Sequence, residues 1–428
     1  MTDSKNLKAG ESFVDSSEVD GEKAGKELVE RAKEDASIDQ VDFAILFVSS
    51  DFKVEKLVDG ADKSLDDEAS WIGSTTAGEI SKEGSTKGGA SMLVVESDKE
   101  IDFYTSYSRS AIEKPEEKGS ELIQDIEKNS FYKKKNSLLY VINPGPTVKN
   151  KNLDYGILKG LQKELAEEIP VVGATSADDY RLRSTKQIIG GEIFEDAVVG
   201  AGINTEKDVF VGQETGLNEK KATGIVTESE GRIIKEISGE PAAEFYAENT
   251  DTSLDKLKEN YSLPLKKEIK LLPTVLKRKL KGQDSVFVDK VFEYALENTL
   301  ADEVGGELRV ALPYRVREGN ALETAVEIPE NRTIHIISGD ENDIVNAGKK
   351  AFKEADSDRT LFSLISDCSC RNQFLRHERL QDEIRELRKE LDCPMVGIYG
   401  MGEIGGREGN MCTFKNQTVT GFAILEKE

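Results

Sequence analysis

The chain repeats itself. Three times a helix-length segment leads into an apolar strand, a second helix-length segment, a strand ending in a glycine-bearing turn, and a final strand. In the first copy these are EKAGKELVERAKEDA (22–36), VDFAILFVSS (41–50), a second helix-length segment, WIGSTTAGEI (71–80), then Gly88-Gly89 and ASMLVVES. Ala24, Leu28, Ala32 and Ala36 share one helical face in its first segment. The second copy runs KPEEKGSELIQDIEKN, SLLYVINPGP (137–146), DYGILKGLQKELAEE, VVGATSADDY (171–180), Gly190-Gly191 and DAVVGAGI. The third runs NAGKKAFKEA, LFSLISDCSC (361–370), a helix over 371–391 striped by Leu380, Ile384, Leu387 and Leu391, then MVGIYGMGEIGG (395–406) and QTVTGFAIL. A threefold repeat of this order points to an α/β fold, with mixed sheets of continuously apolar strands covered by helices.

Between the second and third copies the pattern changes. SGEPAAEFYAEN (238–249) opens a helix with Pro241 in its first turn, and the stretch 307–338 alternates as antiparallel strands do. A boundary near Ile237 divides the 428 residues into two domains, 1–237 with two repeat units and 238–428 with the antiparallel insert and the third unit.

Charge narrows the choice of partner. Asp and Glu number 82 against 58 Lys and Arg, a formal charge of -24, which repels nucleic-acid phosphates and anionic lipid. Such a surface suits a salt-rich cytoplasm, so a halophilic source is expected. No apolar run approaches the roughly 18 residues of a membrane helix, and MTDSKNLKAGESF lacks a signal pattern, so a cytoplasmic location is expected. The lysine-rich LKKEIKLLPTVLKRKLKGQ (265–283) reads as an amphipathic helix able to dock an acidic partner or another subunit. Cys368, Cys370, Cys393 and Cys412 lack paired C-x2-C spacing, so they read as small buried core residues, and neither metal nor cofactor is expected.

The recurring turn carries the chemistry. A strand ending in Gly and Thr/Ser leaves N–H groups directed outward, able to hold a carboxylate. Thr75, Thr175 and Tyr399 stand at these strand ends. Glu79, Asp178 and Glu403 follow in register and offer a site to a cation. Together these are two halves of a pocket for an amino acid or a similar small polar ligand. On the plainer reading the glycines build a tight turn and the acid caps it. Arg371 is a candidate carboxylate clamp, its plain alternative a salt bridge, and Asn416, Gln417 and Thr418 supply side chains to the loop. GMGEIG (400–405) matches the dinucleotide fingerprint in letters only, because a loop follows it where a helix is required. Cys368, near a helix start and Arg371, is the one candidate nucleophile, for a hydrolase or acyl transferase. It lacks a base, and His335 and His377 read as structural.

These motifs resemble the FIST sensory proteins, which join a FIST N to a FIST C domain. FAILFVSS, WIGSTTAGEI and VVGATSADD resemble the N domain; GEPAAEFY, SDCSCR, VGIYGMGEIGG and FKNQT resemble the C domain. The resemblance implies a ligand-sensing module without established chemistry that binds small molecules, amino acids among them. Relatives often carry signalling output segments, and no kinase, cyclase or methyl-accepting segment is recognisable here, so a signalling protein partner is expected.

Overall fold

A computed structural model describes residues 7–128, 134–147, 154–166, 169–217, 219–260, 297–304, 306–406 and 412–427. The lysine-rich segment 265–283 lies outside them. The expected α/β layering is present, and each repeat unit builds the same sheet. The central strands Phe43–Ser49, Asn136–Asn143 and Thr360–Cys368 pair in parallel with Ser70–Thr76, Val171–Thr175 and Met395–Gly400. On its other side each central strand pairs antiparallel with the closing strand of its unit: Gly89–Glu96, Ala197–Thr205 or Val419–Leu425. The opening strands Lys8–Asp15, Ile101–Arg109 and Asp208–Glu214 pair outside these.

The central strands are mostly apolar because both faces are covered. Phe43, Ile45 and Phe47 face a core shared with Leu138, Tyr140, Ile142, Phe362, Leu364, Val396 and Ile398, to which all three sheets contribute. Ala44, Leu46 and Val48 face the opposite way, onto Leu28, Val29, Leu57 and Val58 of the helices Glu22–Ala36 and Val54–Asp62. The other two sheets carry helices Pro115–Lys128 with Asp154–Glu164, and Glu341–Phe352 with Arg376–Arg388. The expected helix over 371–391 is divided, with a short helix Ser369–Phe374 preceding Arg376–Arg388. Its stripe of Leu380, Ile384, Leu387 and Leu391 is buried.

Each unit also gives a hairpin away. Glu79–Thr86 of the first unit extends the sheet of the third, Gln187–Phe194 extends the sheet of the first, and the paired strands Glu403–Gly405 and Thr413–Lys415 extend that of the second. The three sheets are therefore closed into a cycle.

The antiparallel insert occupies 219–338, between opening strand and first helix of the third unit. Its strands follow the order 307–311, 299–304, 333–338, 219–230, 233–237, 322–324, 313–316. The opening strand 208–214 lies on the N-terminal side of Ile237 yet pairs with 419–425. Lys415 holds the insert to the third unit through Glu307, 3.1 Å away.

Candidate functional site

The three glycine-bearing turns meet at the C-terminal ends of the parallel strands. A ring of main-chain bonds joins them. Ala177 N–H donates to Thr75 O, Met401 N–H to Thr175 O and Ala77 N–H to Tyr399 O, each at 3.0 Å. Three bonds return: Thr75 N–H to Lys186 O, Thr175 N–H to Gly402 O and Tyr399 N–H to Gly78 O, at 2.9–3.0 Å. This corrects the expectation of outward-facing amides, because the N–H groups proposed for a ligand carboxylate are spent on the neighbouring unit. Nor is the meeting point an open crevice. Thr75, Glu79, Thr175, Tyr399, Glu403 and Gln417 are all at most 1% exposed. Asp178–Leu182 of the second unit lies across it, with Tyr180 reaching Ser369 and Gln373 of the third and Asp179 accepting from the Ser49 and Ser50 hydroxyls of the first.

The register of the acids also needs correction. Glu79 accepts from the N–H of Gly89 (3.1 Å), and Glu403 from that of Thr418 (3.3 Å), each at the start of its own closing strand. In the second unit this role falls to Gln187, whose Oε1 accepts from Ala197 N–H at 3.3 Å. Asp178 instead caps its own loop, accepting from Leu182, Arg183 and Ser184 N–H. The inserted residues 179–186 shift the hairpin, so counting from the strand misaligns the copy. Aligning Ile80, Ile188 and Ile404 would have identified Gln187. In the second unit the amide nitrogen of Gln187 donates to Ser176 and Thr185 hydroxyls, at 3.2 and 3.4 Å. In the other two, Glu79 Oε1 and Glu403 Oε1 find no hydrogen-bonding N–H or O–H among the described residues.

Around Glu403 lies a buried polar cluster. Arg371 Nε lies 2.7 Å from Asp367 Oδ1, Nη1 donates to Thr215 O (2.9 Å), and Nη2 donates to Ile344 O (3.0 Å) and to Glu383. The arginine thus forms the salt bridges of its plainer reading, and its fork is occupied by the chain's own acceptors. Asp367 and Glu383 escaped notice in the sequence. A glutamate at 383 among Leu380, Ile384 and Leu387 was the available signal, since an acid on an apolar stripe requires a buried partner. Asp367 Oδ2, Glu383 Oε2 and both amide atoms of Asn372 have no hydrogen-bond partner among the described residues. Asn416, 5% exposed, lends its main-chain oxygen to the Thr418 hydroxyl at 2.8 Å. Tyr399 is fully buried, its hydroxyl near that of Ser85.

Burial governs the charges here. It holds Glu79 and Glu403 well above the usual carboxylate range, with the nearby Asp179 adding to Glu79, and Cys368 and Asp367 adding to Glu403. It pushes Glu383 up to about 8, against the pull of Arg371, and raises Asp367 likewise. The folded chain keeps these protons where the unfolded chain loses them. Stability contributed by the group is therefore lost as pH rises from the ordinary carboxylate range towards about 8. In constant high salt, the urea midpoint should fall between pH 5.5 and 8.5, and Glu383→Gln should flatten that decline. A midpoint rising over the interval in the unmodified chain would contradict this assignment.

Burial also pushes the Cys368 thiol well up, the opposite of what a nucleophile requires. All four cysteines are buried and none is in a disulfide. His335 lies on strand 333–338 with Nδ1 2.8 Å from the Thr223 hydroxyl. Among the described residues no group of three His, Cys, Asp or Glu side chains is placed to hold a metal, and no helix is long and apolar enough to cross a membrane.

Comparisons with known proteins agree with the motifs. No curated protein matches the chain. Among solved structures, a cyanuric acid hydrolase from A. caulinodans aligns at 8% identity over 46% of this chain and 71% of that one, with a TM-score of 0.27. The FIST N domain matches residues 42–240 and the FIST C domain residues 242–406. The chain belongs to the FIST family.

Proposed function

We propose that this chain is a cytoplasmic sensory protein that binds an amino acid or similar small polar ligand where the three turns meet. FIST domains are associated with signal transduction and small-ligand binding. One observation carries the placement: Glu79, Asp367, Glu383 and Glu403 each hold a fully buried carboxyl oxygen without a hydrogen-bond partner among the described residues. Buried polar atoms are nearly always paired, so the open oxygens of the linked Asp367, Glu383 and Glu403, and that of Glu79 at the equivalent turn, are what a ligand's donors would complete. Glu403 and Glu79 meet the ligand, with Tyr399, Asn416, Gln417 and Thr418 around Glu403, Thr75 and Thr175 shaping the ring, and Arg371 positioning Asp367. Asp178 serves by fixing the covering loop. Output passes to a separate signalling protein. The charge of -24 extends the proposal to a salt-rich cell.

The test is a thermal-shift screen in high salt, beginning with the standard amino acids. A ligand that stabilises the chain should lose that effect in Glu403→Ala, whose own melting remains cooperative. An undiminished shift in the variant removes Glu403 from the site.

A further inference from the structure

We propose that the Asp367–Glu403 cluster binds the cationic nitrogen of its ligand, a protonated amine or a guanidinium, and that the ligand's carboxylate is dispensable. This rests on the site proposed above and specifies the chemistry it selects.

Four carboxyl oxygens, Glu79 Oε1, Asp367 Oδ2, Glu383 Oε2 and Glu403 Oε1, have no hydrogen-bonding N–H or O–H among the described residues, and their residues are at most 1% exposed. Beside them, among the described residues, the open side-chain donors include the neutral amide nitrogen of Asn372 and the hydroxyls of Ser85, Ser369 and Tyr399. Asn372 is 1% exposed, and its nitrogen lies 2.7 Å from where a side chain on Gly78 would begin. The shortfall is of cationic donors, because Arg371 is already shared between Asp367 and Glu383. Glu403, Asp367 and Glu383 share the cluster with Arg371, whose Nε and both terminal nitrogens already serve Asp367, Glu383, Thr215 O and Ile344 O. The strand-end amides are spent on the ring. An incoming carboxylate would meet no uncommitted cation and no open strand-end amide there.

An ammonium or guanidinium meets the reverse. It supplies several N–H donors on one centre and the positive charge that three carboxyls around one arginine lack. Glu383 is paired with Arg371, whereas Glu403 lies beside Cys368 and Asp367, so Asp367 and Glu403 are assigned the nitrogen. When the site is empty, burial without a counter-charge keeps Glu403 protonated. Binding therefore exchanges a proton for the cation: the ligand's N–H groups donate to the carboxylate, and the carboxyl proton leaves to solvent. No other bond is made or broken.

Calorimetric titration of the full chain in high salt at pH 7.5 tests this with four probes. These are lysine, 1,5-diaminopentane, which lacks the carboxylate, agmatine, which presents a guanidinium, and hexanoate, which lacks the nitrogen. Paired buffers of different ionisation heat count the protons. The expected result is binding of diaminopentane or agmatine at least as tight as lysine, no heat from hexanoate, and release of about one proton per ligand. Glu403→Gln should weaken that binding more than tenfold and abolish the proton release while its melting stays cooperative. Asp367→Asn should weaken it as well. If hexanoate binds and Glu403→Gln abolishes it, the site stands and the charge selection is overturned. If the amines bind equally well to both variants, the nitrogen is held elsewhere and the site reading fails with the proposal. If neither diamine nor agmatine binds, the cationic class is wrong.

Discussion

Replacing Arg371 with leucine is expected to destabilise the chain by about 3–5 kcal/mol, among the largest losses any single substitution here should produce. The side chain is fully buried and stands between Asp367 and Glu383, which are equally enclosed. Removing it strands two carboxyls in a low-dielectric interior, where their recourse is protonation. It also leaves the carbonyls of Thr215 and Ile344 without their donor. The loss should be recovered in large part by adding Asp367→Asn and Glu383→Gln, because a neutral cluster no longer needs the cation. Urea unfolding of the single and triple variants measures both effects. A loss under about 1 kcal/mol for Arg371→Leu would mean the two acids carry no charge that needs it.

The second large effect lies where two helices touch. A Cβ on Gly25 would begin 1.9 Å from Leu57 O, and one on Gly60 would begin 2.0 Å from Glu22 O. Main chain faces main chain, and no rotamer change relieves such a contact. Gly60→Val should therefore destabilise by at least about 3 kcal/mol. The third unit supplies the control. Ala347-Gly348-Lys349 repeats Ala24-Gly25-Lys26, but a Cβ on Gly348 would meet Leu387 Cβ at 3.5 Å, an ordinary contact. Gly348→Ala should be neutral or stabilise by up to about 1 kcal/mol through reduced freedom of the unfolded chain. Thermal and urea melts decide it, and equal losses at the two positions would refute the contact argument.

That contrast also shows how far the sequence could be read. The helix over 22–36 and the apolar central strands were legible because period and burial are properties of contiguous residues. The equivalence of the first and third turns was legible for the same reason, whereas the inserted residues 179–186 hid Gln187 in the second. Which sheet each hairpin joins was not, because Ile80 pairs with Gly397, more than three hundred residues away, and a single copy carries no mark of that partner. The same non-local pairing hid the fate of the amides, so Thr75 reads as an open strand end although its oxygen is taken by Ala177. Glu403 was legible as an acid beside a glycine turn. Its environment, with Cys368 and Asp367 close by, required the fold.

The exchange of hairpins makes the three modules an arch without a keystone, since each leans on the next and the last on the first. Removing any one of them would bare the sheet edge of one survivor and leave the hairpin of the other without a sheet to join, an invitation to pair with other chains. Such a molecule resists being shortened by a module. A disturbance admitted at one seam is also borne by the other two, a mechanical property well suited to a protein whose task is to register the arrival of something small.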